Sequence, residues 1–304
     1  MRLSIGTVGT EREVLPEGFL FKAKTGIRQC AEAGFQILDF NLANASKDDR
    51  PLTKDHWRTW AQSVRAVADE CGVSIRQTHG HWYYLLGESE EKIAWHGEMV
   101  RRCIETTAML GDHPWMVTHP LSVFDAEGYN REKTREFLLR DYGEMGELAA
   151  RCGARIAAEN LFAIPDKNVF GCCAEDLLWL MDKLNDPIFG VCWDFGHANR
   201  ANVDHLESLR QIMPYLRATH VHDNKKRSDD HFMPFFGNVP WKEILPELTR
   251  LGYKGDLNFE VHVFYNTIPQ VLRMQSLRFL RELGEQMLTM AEVKKEDAPS
   301  IAAQ

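Results

Sequence analysis

Three carboxylates sit inside otherwise apolar runs of this chain. Glu159 lies in "ARIAAENLF" (154–162), Asp194 in "IFGVCWDFGH" (188–197) and Glu260 in "DLNFEVHVF" (256–264). A fourth run, "LRATHVHD" (216–223), carries His220 and His222 two residues apart. Burying an unpaired carboxylate is costly, so each needs a cation, a proton or a metal ion. Few Lys or Arg lie within these runs. Carboxylates converging on one place would repel one another unless a divalent ion sat among them. Glu159, Asp194, His222 and Glu260 make an oxygen-rich donor set for one such ion. The set suits Mn²⁺, Mg²⁺ or Co²⁺ better than a sulfur-rich structural Zn²⁺ site, with Zn²⁺ also admitted. His197, three residues after Asp194, is expected to donate to Asp194 or to a substrate hydroxyl. His220, one same-face step deeper than His222, is expected to be structural.

Something must bring these runs together. They belong to a series of eight short β-rich segments, beginning with "RLSIGTV" (2–8), "FQILDFN" (35–41), "VSIRQTHGH" (73–81) and "PWMVTHP" (114–120). Between them lie segments such as "KDHWRTWAQSVRAVADECG", with apolar residues at three- and four-residue spacing. "AEAGF", "DECGV", "ARCGA" and "RLGYKG" each put a glycine where a helix should stop before the next strand. Eight β-then-α units favour an α/β fold, a single (β/α)8 TIM barrel over residues 1–291, with a charged and then small-residue tail at 292–304. In such a barrel the chemistry sits at the C-terminal ends of the strands. Strand three ends in His79 and His81, strand four in His119, and the next four in Glu159, Asp194, His222 and Glu260.

The bulk properties narrow the class further. The 304 residues are 44% hydrophobic and 26% charged, the profile of a globular protein with a sizeable core. A formal net charge of −8 disfavours extended contact with nucleic acid phosphates. No apolar run is long enough for a membrane span, and "MRLSIGTVGT" reads as a strand rather than a leader. Seven cysteines without CxxC spacing point to a reducing, cytoplasmic setting. No GxGxxG or GxxxxGK[ST] follows any strand, which removes the best support for a nucleotide-binding fold.

"AAENLF", "VCWDFGHAN", "HVHDN" through "DDHF", and "GYKGDLNFEV" resemble the xylose isomerase-like TIM-barrel superfamily. That group contains sugar and sugar-phosphate isomerases and epimerases, inosose dehydratases and the type IV AP endonucleases. The resemblance runs from strand one to helix eight. It implies that Glu159, Asp194, His222 and Glu260 hold one divalent ion and that Glu159 and Glu260 serve as the acid/base pair. It implies a substrate contact for His197, and a loop "DNKKRSDDHF" that closes over the sugar. Asp229 and His231 match the Asp-x-His pattern that supplies further ions in the endonuclease branch, and His79 and His119 fall on strands that do so there. Pairing of relatives through barrel helices leaves a homo-oligomer open.

The function expected is a divalent-metal-dependent isomerase or epimerase of a sugar or sugar phosphate, moving a proton through a metal-stabilised enediolate. The same groups in a lyase would expel a β-hydroxyl, as inosose dehydratase-like members do. A phosphodiesterase on damaged DNA is the third reading, opposed by the acidic charge. A small carbohydrate is the expected partner. His79, His119 and Trp82 are candidate substrate contacts, with Trp82, Tyr83 and Tyr84 as a stacking platform or as lid packing. Lys225, Lys226 and Arg227 form either a solvated loop or a clamp for a substrate phosphate or carboxylate.

Overall fold

The alternation of apolar runs and amphipathic segments becomes, in a computed structural model, a ring of eight parallel strands surrounded by helices. The structure describes residues 1–15, 18–47, 49–162 and 169–292. The strands are β1 (Arg2–Gly6), β2 (Ile37–Asn41), β3 (Ser74–His79), β4 (Trp115–Thr118), β5 (Arg155–Glu159), β6 (Phe189–Asp194), β7 (Leu216–His220) and β8 (Asp256–Phe259). Their order in the sheet is β7-β6-β5-β4-β3-β2-β1-β8. The ring closes between β7 and β8 through a parallel bridge from Val221 to Phe259. There the Val221 N–H donates to the Asn258 carbonyl at 2.7 Å, and the Glu260 N–H donates to the Val221 carbonyl at 3.1 Å.

One long helix follows each strand: α1 (Ala23–Glu32), α2 (Trp57–Glu70), α3 (Glu90–Leu110), α4 (Arg131–Cys152), α5 (Ala174–Leu184), α6 (His205–Ile212), α7 (Trp241–Arg250) and α8 (Arg273–Ala291). The expected (β/α)8 barrel is therefore the observed one. Gly34, Gly72, Gly153 and Gly252 adopt φ of 95°, 65°, 89° and 80°. Side chains rarely tolerate that left-handed region, so each glycine ends its helix where the pattern places the stop.

A parallel sheet with helices outside is buried on both faces, which is why β6 is apolar at nearly every position and buried throughout. Ile156, Ala158, Val191, Trp193, Leu257 and Phe259 point outward into the main core beneath the helices. Trp115, Val117, Ala157, Cys192 and Ala218 form a separate cluster inside the ring. By the two-residue alternation of a strand, Glu159, Asp194, His220 and Glu260 continue that inner set.

Several strands stop earlier than the sequence pattern suggests. Residues 195–201 form a short helix rather than the end of β6, and 262–267 form another beyond β8. All seven cysteines are free. Among the described residues, no helix is long and apolar enough to cross a membrane. The tail expected from residue 292 lies, beyond Glu292, outside the described residues.

Candidate active site

The inner strand ends meet in a buried cluster. Ligand-type atoms of Glu159, Asp194, His220 and Glu260 all lie within 4.8 Å of one another. His220 is the hub. Its Nδ1 is 2.8 Å from Glu159 Oε1, 3.4 Å from Glu260 Oε2 and 3.7 Å from Asp194 Oδ2. Its Nε2 is 3.2 Å from Asp39 Oδ2. The same Asp39 oxygen accepts from Gln77 Nε2 at 2.8 Å and from Asn258 Nδ2 at 2.9 Å. A carboxylate behind a histidine fixes the ring's tautomer and direction.

Asp194 is held by the backbone around it. Its Oδ1 accepts from the His197 N–H at 2.6 Å and caps the helix Phe195–Ala201. Asn160 Nδ2 donates to the Asp194 carbonyl at 2.9 Å, and the Asp194 N–H donates to Asn160 Oδ1 at 2.6 Å. This exchange ties the ends of β5 and β6 together.

His222 lies beside this group, against Asp194. β7 ends at His220, Val221 bridges to β8, and Asp223 then pairs in antiparallel fashion with Phe232. His222 thus leaves the strand's alternation. Its Nε2 lies 3.0 Å from Asp194, and its ring stacks on His231 at 3.9 Å. Its ligand-type atoms group with those of His197, Asp229 and His231. His220, expected to be structural, is the histidine grouped with the three carboxylates.

The remaining candidates divide sharply. His79 Nε2 and His119 Nε2 approach Glu159 Oε2 at 3.3 and 3.1 Å and form a further group with it. His197 Nδ1 donates to the Asn160 carbonyl at 2.9 Å, while its Nε2 lies 3.5 Å from Asp229. His231 Nδ1 donates to the Glu260 carbonyl at 2.7 Å, and its Nε2 lies 2.9 Å from Asp229 Oδ2. His81 is turned away from the cluster. It bonds Ser46 Oγ and His96 Nδ1 at 2.7 Å each and stacks with Tyr83. Arg227 is exposed and is not among the residues lining the two cavities described below.

A cavity of about 250 Å³ stands over the cluster, lined among others by Asn44, Lys47, Trp82, His119, Glu159 and Glu260. A second, of about 540 Å³, shares Trp82, His119, His197 and Asp229 with it and continues outward. Lys47 comes from the loop after β2, and its Nζ lies 4.4 Å over the Trp82 ring. Sequence reasoning passed over Asp39, Asn44 and Lys47. The signal for Asp39 was a carboxylate in the apolar run "ILDFN", the same signal that singled out Glu159.

The electrostatics follow from charge crowding. Burial opposes ionisation of Glu159, but His220 and His119 outweigh it and hold the carboxyl well below its usual range. Burial likewise opposes ionisation of Asp194, and His197 and His222 overcome it. Burial pushes His119 down against the pull of Glu159. His197 and His220 are raised well above the ordinary value, despite burial, by the acidic groups around them. His231 rises to about 9 because Asp229 outweighs its burial.

The residues present fit a divalent ion. Among the described residues, the buried atoms Glu159 Oε2, His222 Nδ1 and Asp229 Oδ1 make no hydrogen bond of good geometry, although His119 and His79 stand 3.1 and 3.3 Å from the first. Buried polar atoms are ordinarily satisfied, so unengaged acceptors beside three carboxylates are suited to holding a cation. The oxygen-rich set Glu159, Asp194, His220 and Glu260 has the donor chemistry for it.

Residues 27–283 match the family model described as xylose isomerase-like TIM barrel. The chain belongs to that family. Among curated relatives it is 24% identical to a fructoselysine 3-epimerase from Escherichia coli over 150 residues, 48% of this chain and 52% of that protein. It is 29% identical to an uncharacterised protein, y4fM, of Sinorhizobium fredii over 54% of this chain and 51% of that one. The chain thus spans about half the length of these relatives. The fold recurs in a D-tagatose 3-epimerase-like protein, with TM-score 0.74 and 20% identity over 96% of this chain and 98% of that one. It recurs in a D-psicose 3-epimerase from Clostridium cellulolyticum, with TM-score 0.72 and 16% identity over 95% and 99%.

Proposed function

We propose that this barrel is a divalent-metal-dependent epimerase or isomerase of a keto sugar. The observation that carries the reading is the buried group of Glu159, Asp194, His220 and Glu260 at the floor of a cavity. The names of the fructoselysine, D-tagatose-like and D-psicose 3-epimerases support it. In this reading His220, oriented by Asp39, is the histidine ligand in place of His222. A bound ion would supply Lewis acidity to the carbonyl and neighbouring hydroxyl oxygens of the sugar.

The chain's own residues do the rest. Glu159 and Glu260 flank His220, close enough for both carboxylates to face one substrate carbon. One takes the carbon-bound proton and the other returns one, through an enediolate of the substrate. His197 and Lys47 line the cavity and offer donors to sugar hydroxyls. Trp82 offers an aromatic face. A turnover mixture in D₂O, followed by NMR, tests this: deuterium at the exchanging carbon is expected, and its absence counts against the route.

A second reading has a specific observation behind it. The groups His79–His119–Glu159 and His197–His222–Asp229–His231 could hold further ions, as a phosphodiesterase would use. Against it, the outer cavity is walled mainly by Trp, Tyr, Leu and Phe, and the chain carries a net charge of −8. Metal stoichiometry separates the two: about one ion per chain favours the epimerase, two or three the phosphodiesterase.

A further inference from the structure

The larger cavity has a composition that a free sugar does not explain. Beyond the wall it shares with the polar cavity it is formed by Tyr84, Leu86, Leu121, Phe124, Leu161 and Phe162. The hydroxyl of Ser122, also in its lining, is engaged by the Phe170 N–H at 2.9 Å. Tyr84 and Leu86 are 62% and 55% exposed at its edge, a costly use of large apolar side chains unless something covers them. Sugar hydroxyls set against this Leu and Phe wall would lose hydrogen bonds to water with few replacements.

We propose that the substrate is a sugar bearing an apolar substituent, whose sugar sits over the carboxylate cluster and whose substituent fills this outer cavity. The proposal rests on the epimerase reading, since it takes the polar cavity as the sugar's seat. The occupant follows from continuity. Trp82, His119, His197 and Asp229 wall both spaces, so a group attached to a sugar in one projects directly into the other. At about 540 Å³ the outer cavity is within the usual range for an organic ligand, and more than twice the polar cavity's about 250 Å³. Beyond that shared wall its lining is mainly apolar, and Lys225, Lys226 and Arg227 are not part of it, so an aryl or alkyl group fits where a phosphate does not.

The test is a calorimetric titration of the Mn²⁺-loaded protein with a ketohexose and with the same ketohexose carrying a benzyl ether at either terminal hydroxyl. At least one ether is expected to bind about tenfold or more tightly than the parent, from the apolar area it buries. The variant Leu86→Ser removes an exposed side chain that lines the outer cavity and not the polar one. It is expected to cut part of that gain and leave parent binding unchanged. Equal affinities, or no binding of any of the three, overturn the proposal. Deuterium exchange into the parent ketose is read separately. Tighter ether binding without exchange keeps this inference and discards the epimerase reading, whereas exchange without a gain from the ether does the reverse.

Discussion

His220 Nε2 lies 3.2 Å from Asp39 Oδ2, while its Nδ1 faces Glu159. The two carboxylates, from β2 and β5, thus hold one imidazole between them across the barrel. Asp39→Asn keeps the size of the side chain but weakens the grip on the ring. It is expected to lower Mn²⁺ affinity about 10- to 100-fold in a calorimetric titration, with the circular dichroism spectrum unchanged. Unchanged affinity would make Asp39 a packing residue.

The two histidines of "THVHDN" can be told apart directly. His220→Gln is expected to abolish stoichiometric Mn²⁺ binding, whereas His222→Gln should weaken it by a smaller factor, because His222 touches Asp194 alone among the proposed ligands. The opposite ranking would return the ligand role to His222.

Glu159→Gln and Glu260→Gln should each reduce turnover of a ketose substrate by about 10²- to 10⁴-fold. Deuterium incorporation should fall with turnover. A variant with full activity would remove that glutamate from the acid/base pair.

The fold carries its own acid sensitivity outside the site. Burial, with His96 and Lys47 adding to it, pushes His81 down to about 3. The unfolded chain therefore binds a proton near the ordinary histidine value of about 6.5 that the folded chain refuses. The stability this neutral histidine leaves intact is complete above pH 6.5 and is lost as pH falls from there toward 3, at up to about 1.4 kcal/mol per pH unit. Denaturation midpoints measured across that range should fall less steeply for His81→Gln than for the unaltered protein.

Gly196 carries no side chain for a steric reason. A Cβ there would run into the His222 ring. Gly196→Ala should cost about 1–3 kcal/mol in chemical denaturation, as overpacking commonly does. It should also weaken metal binding by displacing His222 from Asp194.

Much of this was legible in the sequence. The eight strand–helix units could be read because a buried parallel strand such as β6 must be apolar on both faces, and because Gly34, Gly72, Gly153 and Gly252 mark where helices stop. Glu159, Asp194 and Glu260 stood out because a carboxylate among apolar residues demands a partner. That His220 rather than His222 groups with the three carboxylates could not be read. It turns on β7 ending at His220, and no change in residue type marks that point. His262 shows the same effect: it lies in the short helix beyond β8, where strand alternation no longer applies, yet its ring packs 4.1 Å from His231. Lys47 was hidden because it reaches the cavity from a loop.

The ring's closure between β7 and β8 bears on more than architecture. His220 ends one of these strands and Glu260 follows the other, so any breathing of the seam would pull the two apart. An ion gripped by both would then work as a latch on the barrel, and loading it should slow amide exchange first at Val221 and Glu260, ahead of any change at β3 or β4.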